Sequence, residues 1–370
     1  MPKVLVTGQL QLDSASHQRL RWPNDSIQEQ KLTAALGGSG FIAAYCIKQL
    51  LERGCEVVTT VRSHDKGTKV LNAHSASGGK LSYQIVEDVA RKGAFDEVVK
   101  STPDLDFVLH TASPFHYNVQ DPVKDFLEPA VTGTTSILQA IKDSAPSVKR
   151  VVFTSSFAAV NGGSKTTPPF YDESCWNPIT WDEAAQDKTK AYRGSKTLAE
   201  RAAWAFIENE KPTFDLVTIN PSLVFGPAAP HLSPGELASL NTSNLRIWDM
   251  IQGKMKDRLD PTGFYSWVDV RDVALAHVRA LEIPEAGGSR FLLMAGYHTN
   301  KRIAEIIATL GPEFRELFPA NLEALDDDLP GPAERYTFST KRSTEVLGIV
   351  YTSLENSVKD TVESLLKLRA

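Results

Sequence analysis

Cysteine is scarce: Cys46, Cys55 and Cys175 are the only three in 370 residues, and their spacing matches no metal-ligand pattern. That excludes a disulfide-stapled or zinc-ribbon module and implies a reducing compartment, best met by the cytosol. Long apolar runs are also missing: none reaches the roughly 18 residues of a membrane-spanning helix, and no signal-peptide pattern precedes the first apolar segment. Basic excess is absent, with 40 Lys and Arg against 45 Asp and Glu, a net charge of −5. Nothing in that balance favours nucleic acid or an anionic membrane as a partner. No repeat of solenoid type is present. The acidic run Asp326-Asp-Asp328 reads as a solvated loop.

What is there alternates. Short apolar runs read as parallel strands at Glu56-Val-Val-Thr-Thr-Val-Arg62, Leu81-Ser-Tyr-Gln-Ile-Val86, Phe107-Val-Leu-His110, Val151-Val-Phe-Thr154 and Asp215-Leu-Val-Thr-Ile219, with helix-like segments between them. The pattern predicts an α/β fold: a doubly wound parallel sheet of Rossmann type over residues 1–225, with a smaller substrate-binding region over 226–370, some of whose segments return to the sheet. A chain of 370 residues is long enough for both. Ligands of such sheets bind beyond the carboxyl ends of the strands.

The amino terminus reads as a dinucleotide unit cut in two. Lys3-Val-Leu-Val-Thr-Gly8 has the look of a buried first strand ending in glycine, whereas the phosphate-cradling pattern that should follow at once, Gly37-Gly-Ser-Gly40-Phe-Ile-Ala43, arrives late. Residues 9–36 between them show neither a strand period nor a helical stripe, so an insertion at about 9–37 is expected. Removing Gln9–Gly37 would restore Val-Thr-Gly-Gly-Ser-Gly-Phe-Ile-Ala without a seam. The genetic code permits a translated intron there, with donor and acceptor sequences in compatible phase; the rival reading is a genuine surface loop beside the cofactor.

Where a parallel sheet specific for NAD carries a carboxylate after its second strand, this chain has Arg62, followed by Lys66. Two cations there suit the 2′-phosphate of NADP; the bland alternative is a pair of solvated surface charges. Asp88-Val89, after the third strand, suits the adenine edge, although Asp88 would serve equally as a helix cap. Thr111-Ala-Ser113, after the fourth, is small enough for backbone to approach a cofactor. His110, Trp267 and His277 read as core residues without a chemical role.

The chemistry is carried by Tyr192-Arg-Gly-Ser-Lys196, downstream of Thr154-Ser-Ser156. On a helix, the spacing of four puts Tyr192 and Lys196 on one face. A phenol has an unperturbed pKa of about 10 and needs a nearby cation before it exchanges protons usefully near neutrality. By itself the pair is weak evidence; the surroundings give it weight.

Together these residues resemble the extended short-chain dehydrogenase/reductase superfamily, and within it the fungal NADPH-dependent methylglyoxal and ketone reductases, which are related to plant dihydroflavonol reductases. The markers are Gly37 to Ala43, Val61-Arg-Ser63, His110-Thr-Ala-Ser-Pro-Phe115, Thr154-Ser-Ser156, Tyr192 to Lys196, Asn220-Pro-Ser222 and Val268-Asp-Val-Arg-Asp-Val273, covering nearly the whole chain apart from the insert. The resemblance implies reduction of an aldehyde or ketone by NADPH, with Tyr192 as proton donor, Lys196 lowering its pKa and holding the nicotinamide ribose, and Ser156 bonding the carbonyl oxygen. Ser155 is the less favoured partner and would instead anchor the strand end.

Cofactor contacts implied by the same resemblance are Gly37, Gly38, Gly40, Phe41, Ile42, Arg62, Lys66, Asp88, Val89, Thr111, Ala112, Ser113, Tyr192, Lys196, Pro221, Ser222, Val224 and Ser243. Phe115, Tyr117 and Trp248 are candidate substrate contacts, each readable also as general packing. No metal is expected, and the partner is a small carbonyl compound, bound by a monomer or homodimer. Two other classes stay open: an NAD-dependent sugar-nucleotide epimerase or dehydratase, which shares the Ser-Tyr-Lys machinery, and an inactive dinucleotide-binding or misspliced isoform whose glycine loop is interrupted.

Overall fold

The computed structural model describes residues 32–36, 38–102, 104–111, 120–167, 169–229 and 231–369. Seven strands form one parallel sheet: β1 Leu32–Leu36, β2 Glu56–Val61, β3 Leu81–Ile85, β4 Phe107–His110, β5 Arg150–Thr154, β7 Asp215–Pro221 and β10 Arg290–Leu293. Their order across the sheet is β10-β7-β5-β4-β1-β2-β3, every pair parallel, so the strand order reverses between β1 and β4. β4, β5 and almost all of β7 are buried, as expected for strands covered by helices on both faces. Two further sheets are small: β8 Leu223–Phe225, β9 Ser266–Asp269 and β11 Gly296–Tyr297 form one, and β6 Phe170–Tyr171 with β12 Thr337–Phe338 the other.

Five of the seven main strands fall where apolar runs predict them. The exceptions are β10 and the interior strand β1. β1 is Leu32–Leu36, paired with β2 through Leu32↔Glu56 to Ala35↔Thr59 and with β4 through Thr33↔Phe107 to Leu36↔His110. Residues 32–36 of the expected insertion at 9–37 therefore form an interior strand of the sheet, between β4 and β2, rather than a loop. Thr33 and Ala34 are small, uncharged and buried, and once flanked by β2 and β4 they need no alternation of their own to be held as a strand. The segment Lys3–Gly8, read as the first strand, lies outside the described residues.

The main core gathers Val57, Val108, Leu109, Val151, Val152, Val217 and Phe291 from the sheet with Ile47, Ile141, Ala203 and Val278 from the covering helices. A second core, around Phe225, Ile247, Met250, Trp267, Ile303, Ile307 and Leu365, underlies the smaller carboxyl-terminal layer. β10 and the helix Val270–Glu282 return from beyond residue 225 to the large sheet and its covering helices. The joint between the two cores is Asp269, fully buried, whose carboxylate caps that helix through Arg271 N at 2.8 Å and accepts Arg271 Nε and Nη2 at 2.8 and 2.9 Å. Arg271 reaches on to Asp360 at 2.5 Å, fastening the last helix, Leu354–Arg369. The acidic run is not merely solvated: Asp328 accepts both Thr262 N and Thr262 Oγ1 at 2.7 Å, and Asp327 pairs with Arg302 at 3.1 Å.

Candidate active site

The predicted residues meet at the carboxyl rim of the sheet. Gly38 and Gly40 follow β1, Arg62 follows β2, Asp88 and Val89 lie beyond β3, Thr111 follows β4, Ser156 follows β5, and Pro221 ends β7 with Ser222 and Val224 just after it. Of the predicted contacts, Gly37, Ala112, Ser113, Phe115 and Tyr117 lie outside the described residues.

The phosphate turn is built by close approach. Gly38 is buried and its amide donates to the Thr60 carbonyl, and a Cβ there would come within 2.6 Å of that oxygen and 2.9 Å of Val61 Cγ1. Gly40 occupies the N-cap of the helix Phe41–Glu52 and supplies no side-chain cap, so the first-turn amides, including those of Phe41 and Ile42, are left for a ligand. β1 ends at Leu36, two residues before Gly38.

At the end of β2, Ser63 caps the helix His64–Ala73, accepting Lys66 N, which puts Lys66 in the first turn one step from Arg62. Both cations are exposed and form no ion pair among the described residues, whereas the neighbouring Lys69 is paired with Glu236. Asp88 Oδ1 accepts Ala90 N at 2.8 Å within a turn; the next helix begins only at Asp96, with Phe95 at its N-cap, so Asp88 is not its cap. On the smaller layer, Asn241 Nδ2 donates to Ser243 Oγ at 2.7 Å and Ser243 Oγ donates to the Val224 carbonyl, so those two predicted contacts adjoin. Trp248 packs half-buried on the second core, and Ser222 Oγ is buried with no hydrogen-bond partner among the described residues.

Tyr192 and Lys196 lie on the helix Lys188–Glu210, started by Asp187, whose carboxylate accepts Thr189 N at 2.9 Å. Gly194, between them, faces Ala184 and Leu127, with no room for a Cβ against Ala184. The helix packs on the 3-10 turn Phe157–Ala159 that follows Ser156. Ser156 Oγ accepts Ala158 N at 3.1 Å, which leaves its hydrogen to be donated outward. Burial lowers the Lys196 ammonium to about 8. His110 is held neutral: burial first, then the charge of Lys196, push it down to about 3, and its ring stacks on Phe153 at 5.5 Å. His277 is satisfied in the core, its Nδ1 donating to Val273 O at 2.7 Å and its Nε2 accepting from Thr154 Oγ1 at 2.6 Å.

Sequence reasoning overlooked Glu200, the best-connected group near the site. Fully buried, it accepts Ser155 Oγ at 2.5 Å, Asn220 Nδ2 at 2.7 Å, Thr218 Oγ1 at 2.8 Å and Arg290 Nε at 2.7 Å. Its position four residues beyond Lys196 was the available signal. Among the described residues, no group of three or more His, Cys, Asp or Glu could hold a metal ion, and no helix is long and apolar enough to cross a membrane.

This arrangement of glycine turn, strand-end hydroxyl and Tyr/Lys helix matches a known family model, that of the NAD dependent epimerase/dehydratase family, over residues 35–293. The chain belongs to this family. Within it, the chain is 49% identical over 337 residues to ketoreductase azaE of Aspergillus niger, a match covering 90% of this chain and 96% of that protein. It is 34% identical over 342 residues to the NADPH-dependent methylglyoxal reductase GRE2 of Saccharomyces cerevisiae, covering 90% and 97%. The crystal structure of Gre2 in complex with NADPH from Candida albicans superposes with a TM-score of 0.81 at 40% identity, covering 91% of this chain and 98% of that one. The UDP-glucose 4-epimerase of Thermotoga maritima shares the fold at 18% identity and a TM-score of 0.67. The family match begins at residue 35, inside β1.

Proposed function

We propose that the chain reduces aldehydes and ketones to alcohols with NADPH. The observation that carries this reading is the pair Arg62 and Lys66 at the end of β2, unpaired among the described residues where an NAD-specific sheet would present a carboxylate. Its relatives named as ketoreductase and as NADPH-dependent methylglyoxal reductase support it.

The site's residues fit the cofactor. The buried turn at Gly38 has no room for a Cβ, the helix opening at Gly40 leaves its amides open to a pyrophosphate, and the two cations suit a 2′-phosphate. Bound NADPH supplies hydride to the carbonyl carbon. Ser156 donates its hydroxyl hydrogen to the carbonyl oxygen, and Tyr192 gives that oxygen its proton. Lys196, protonated below about 8, stabilises the phenolate left behind. Pro221, Ser222, Val224 and Ser243 line the nicotinamide side, with Trp248 toward the substrate. The smaller layer serves as the substrate-binding part, and Cys46, Cys55 and Cys175, none in a disulfide among the described residues, support a cytosolic setting.

Two alternatives lose ground. The epimerase or dehydratase reading shares the Ser-Tyr-Lys machinery but leaves Arg62 and Lys66, unpaired among the described residues, unexplained. The inactive-isoform reading rests on an interrupted glycine loop; a strand at Leu32–Leu36 followed by the buried Gly38 speaks against it. The test is NADPH oxidation by the purified chain against a panel of small ketoaldehydes, branched aldehydes and bulkier ketones. Carbonyl-dependent oxidation is expected; tightly copurifying NAD⁺ with no such oxidation would overturn the reading.

A further inference from the structure

Resting on the reductase reading, we infer that Glu200 is a positioning residue that sets Ser156 against Tyr192 and Lys196. Glu200 lies four residues beyond Lys196 and eight beyond Tyr192 on one helix, so all three share a face. Its carboxylate is where that helix meets the strand ends. Oε2 accepts Ser155 Oγ at 2.5 Å and Asn220 Nδ2 at 2.7 Å, and the same Asn220 amide donates to the main-chain carbonyl of Ser156 at 3.3 Å. The helix carrying the proton donor is thereby tied, through two side chains, to the backbone of the residue that bonds the substrate oxygen.

Oε1 faces the structural side. It accepts Thr218 Oγ1 at 2.8 Å and Arg290 Nε at 2.7 Å, with Arg290 Nη2 at 3.4 Å from Oε2. Arg290 is itself fixed: its guanidinium stacks on Trp176 at 3.7 Å, and Nη1 donates to the carbonyls of Glu173 and Cys175, each at 2.7 Å. A buried carboxylate paired this way is not needed for stability alone, since ion pairs inside proteins often break even against apolar replacements. What the ion supplies here is acceptor capacity. Ser155, Asn220, Thr218 and Arg290 all converge as donors, and a carboxylate has acceptor sites for each and no hydrogen of its own. Glutamine would set an amide NH₂ against at least one of them, releasing either the Ser155–Asn220 side or the Arg290 side.

Catalytic geometry tolerates little slack, a displacement of about 1 Å costing on the order of a hundredfold in rate. E200Q is therefore expected to lower kcat by about ten- to a hundredfold while the KM for NADPH stays within about threefold, and to displace the alkaline limb of the kcat–pH profile. N220A removes the link to Ser156 but leaves the Glu200–Arg290 pair, and should reproduce the kcat and pH effects; it decides the matter if E200Q does not fold. W204F, which removes the Trp204 Nε1 donor to Oε1 at 3.5 Å, should keep kcat and the pH profile; Thr218 is no such control, since its hydroxyl also lies 3.3 Å from Asn220 Oδ1. Variants that melt earlier but turn over with unchanged kcat and pH profile would make Glu200 purely structural and overturn the assignment. A wild-type chain with no carbonyl-dependent NADPH oxidation overturns the reductase reading and this one together; wild-type turnover with unaffected variants overturns this one alone.

Discussion

The amide of Gly38 donates to the carbonyl of Thr60, so the phosphate turn is fastened to the penultimate residue of β2 rather than merely following β1. That bond joins the turn to the end of β2, beside Arg62, the proposed 2′-phosphate contact. Gly38→Ala would press its Cβ to 2.6 Å from Thr60 O and 2.9 Å from Val61 Cγ1, neither of which is the free end of a flexible chain. Loss of about 1–3 kcal/mol of stability is expected, with a weaker NADPH affinity measured by fluorescence titration. Undiminished affinity in a normally folded G38A protein would show that the turn does not carry the phosphates.

Arg62 and Lys66 test the choice of cofactor. Each is exposed, and neither is neutralised by a carboxylate among the described residues. A charge-assisted hydrogen bond to phosphate contributes about 1.5–3 kcal/mol, so R62A and K66A should each raise the KM for NADPH about tenfold or more while leaving that for NADH nearly unchanged. The NADPH effect should shrink as ionic strength rises. Equal losses for both cofactors would move the 2′-phosphate elsewhere.

Lys196 should set an alkaline limit. Burial lowers its pKa to about 8, so the ammonium is charged below that value and neutral above it. For carbonyl reduction kcat/KM, which reports the free enzyme, is expected to fall about tenfold per pH unit above about 8. Tyr192→Phe should remove a factor of about 10² to 10⁴ in turnover and leave the NADPH dissociation constant close to wild type. A Y192F enzyme with near-normal turnover would remove Tyr192 from the role of acid.

Strand β1 offers a test of the amino-terminal sequence. β1 places Thr33 and Ala34 in the core, small side chains between β2 and β4. Joining Gly8 to Gly38 by deleting Gln9–Gly37 would offer Val4, Leu5 and Val6 to the same register, with more aliphatic volume and higher strand propensity. The shortened protein should melt at a higher temperature and bind NADPH at least as tightly. A lower melting temperature would show that the core is built around Thr33 and Ala34; equal behaviour would show that Leu32–Leu36 is a sufficient strand.

Much of this molecule is readable without coordinates because its determinants are local. Runs such as Phe107-Val-Leu-His110 and Val151-Val-Phe-Thr154 are continuous and apolar, which a strand buried on both faces requires, and they appear as β4 and β5 within a residue of where they are read. The Tyr192 and Lys196 pair is legible for the same reason, since a spacing of four on a helix needs no tertiary information. The glycine turn and the absence of a carboxylate after β2 are likewise visible in short segments.

Two things were decided only by the assembled structure. One is which stretch lies between β2 and β4: Leu32–Leu36 has little strand character of its own and is held by its pairing with them on either side. The other is Glu200, which in sequence is one more acidic residue on a helix rich in charge. Its partners Thr218, Asn220, Ser155 and Arg290 are separated from it by 18, 20, 45 and 90 residues, and only the packing of the helix Lys188–Glu210 on β5, β7 and β10 brings their donors to one buried carboxylate. Local sequence specifies which groups can do chemistry; long-range pairing and burial determine which strand carries the turn and which charge holds those groups in place.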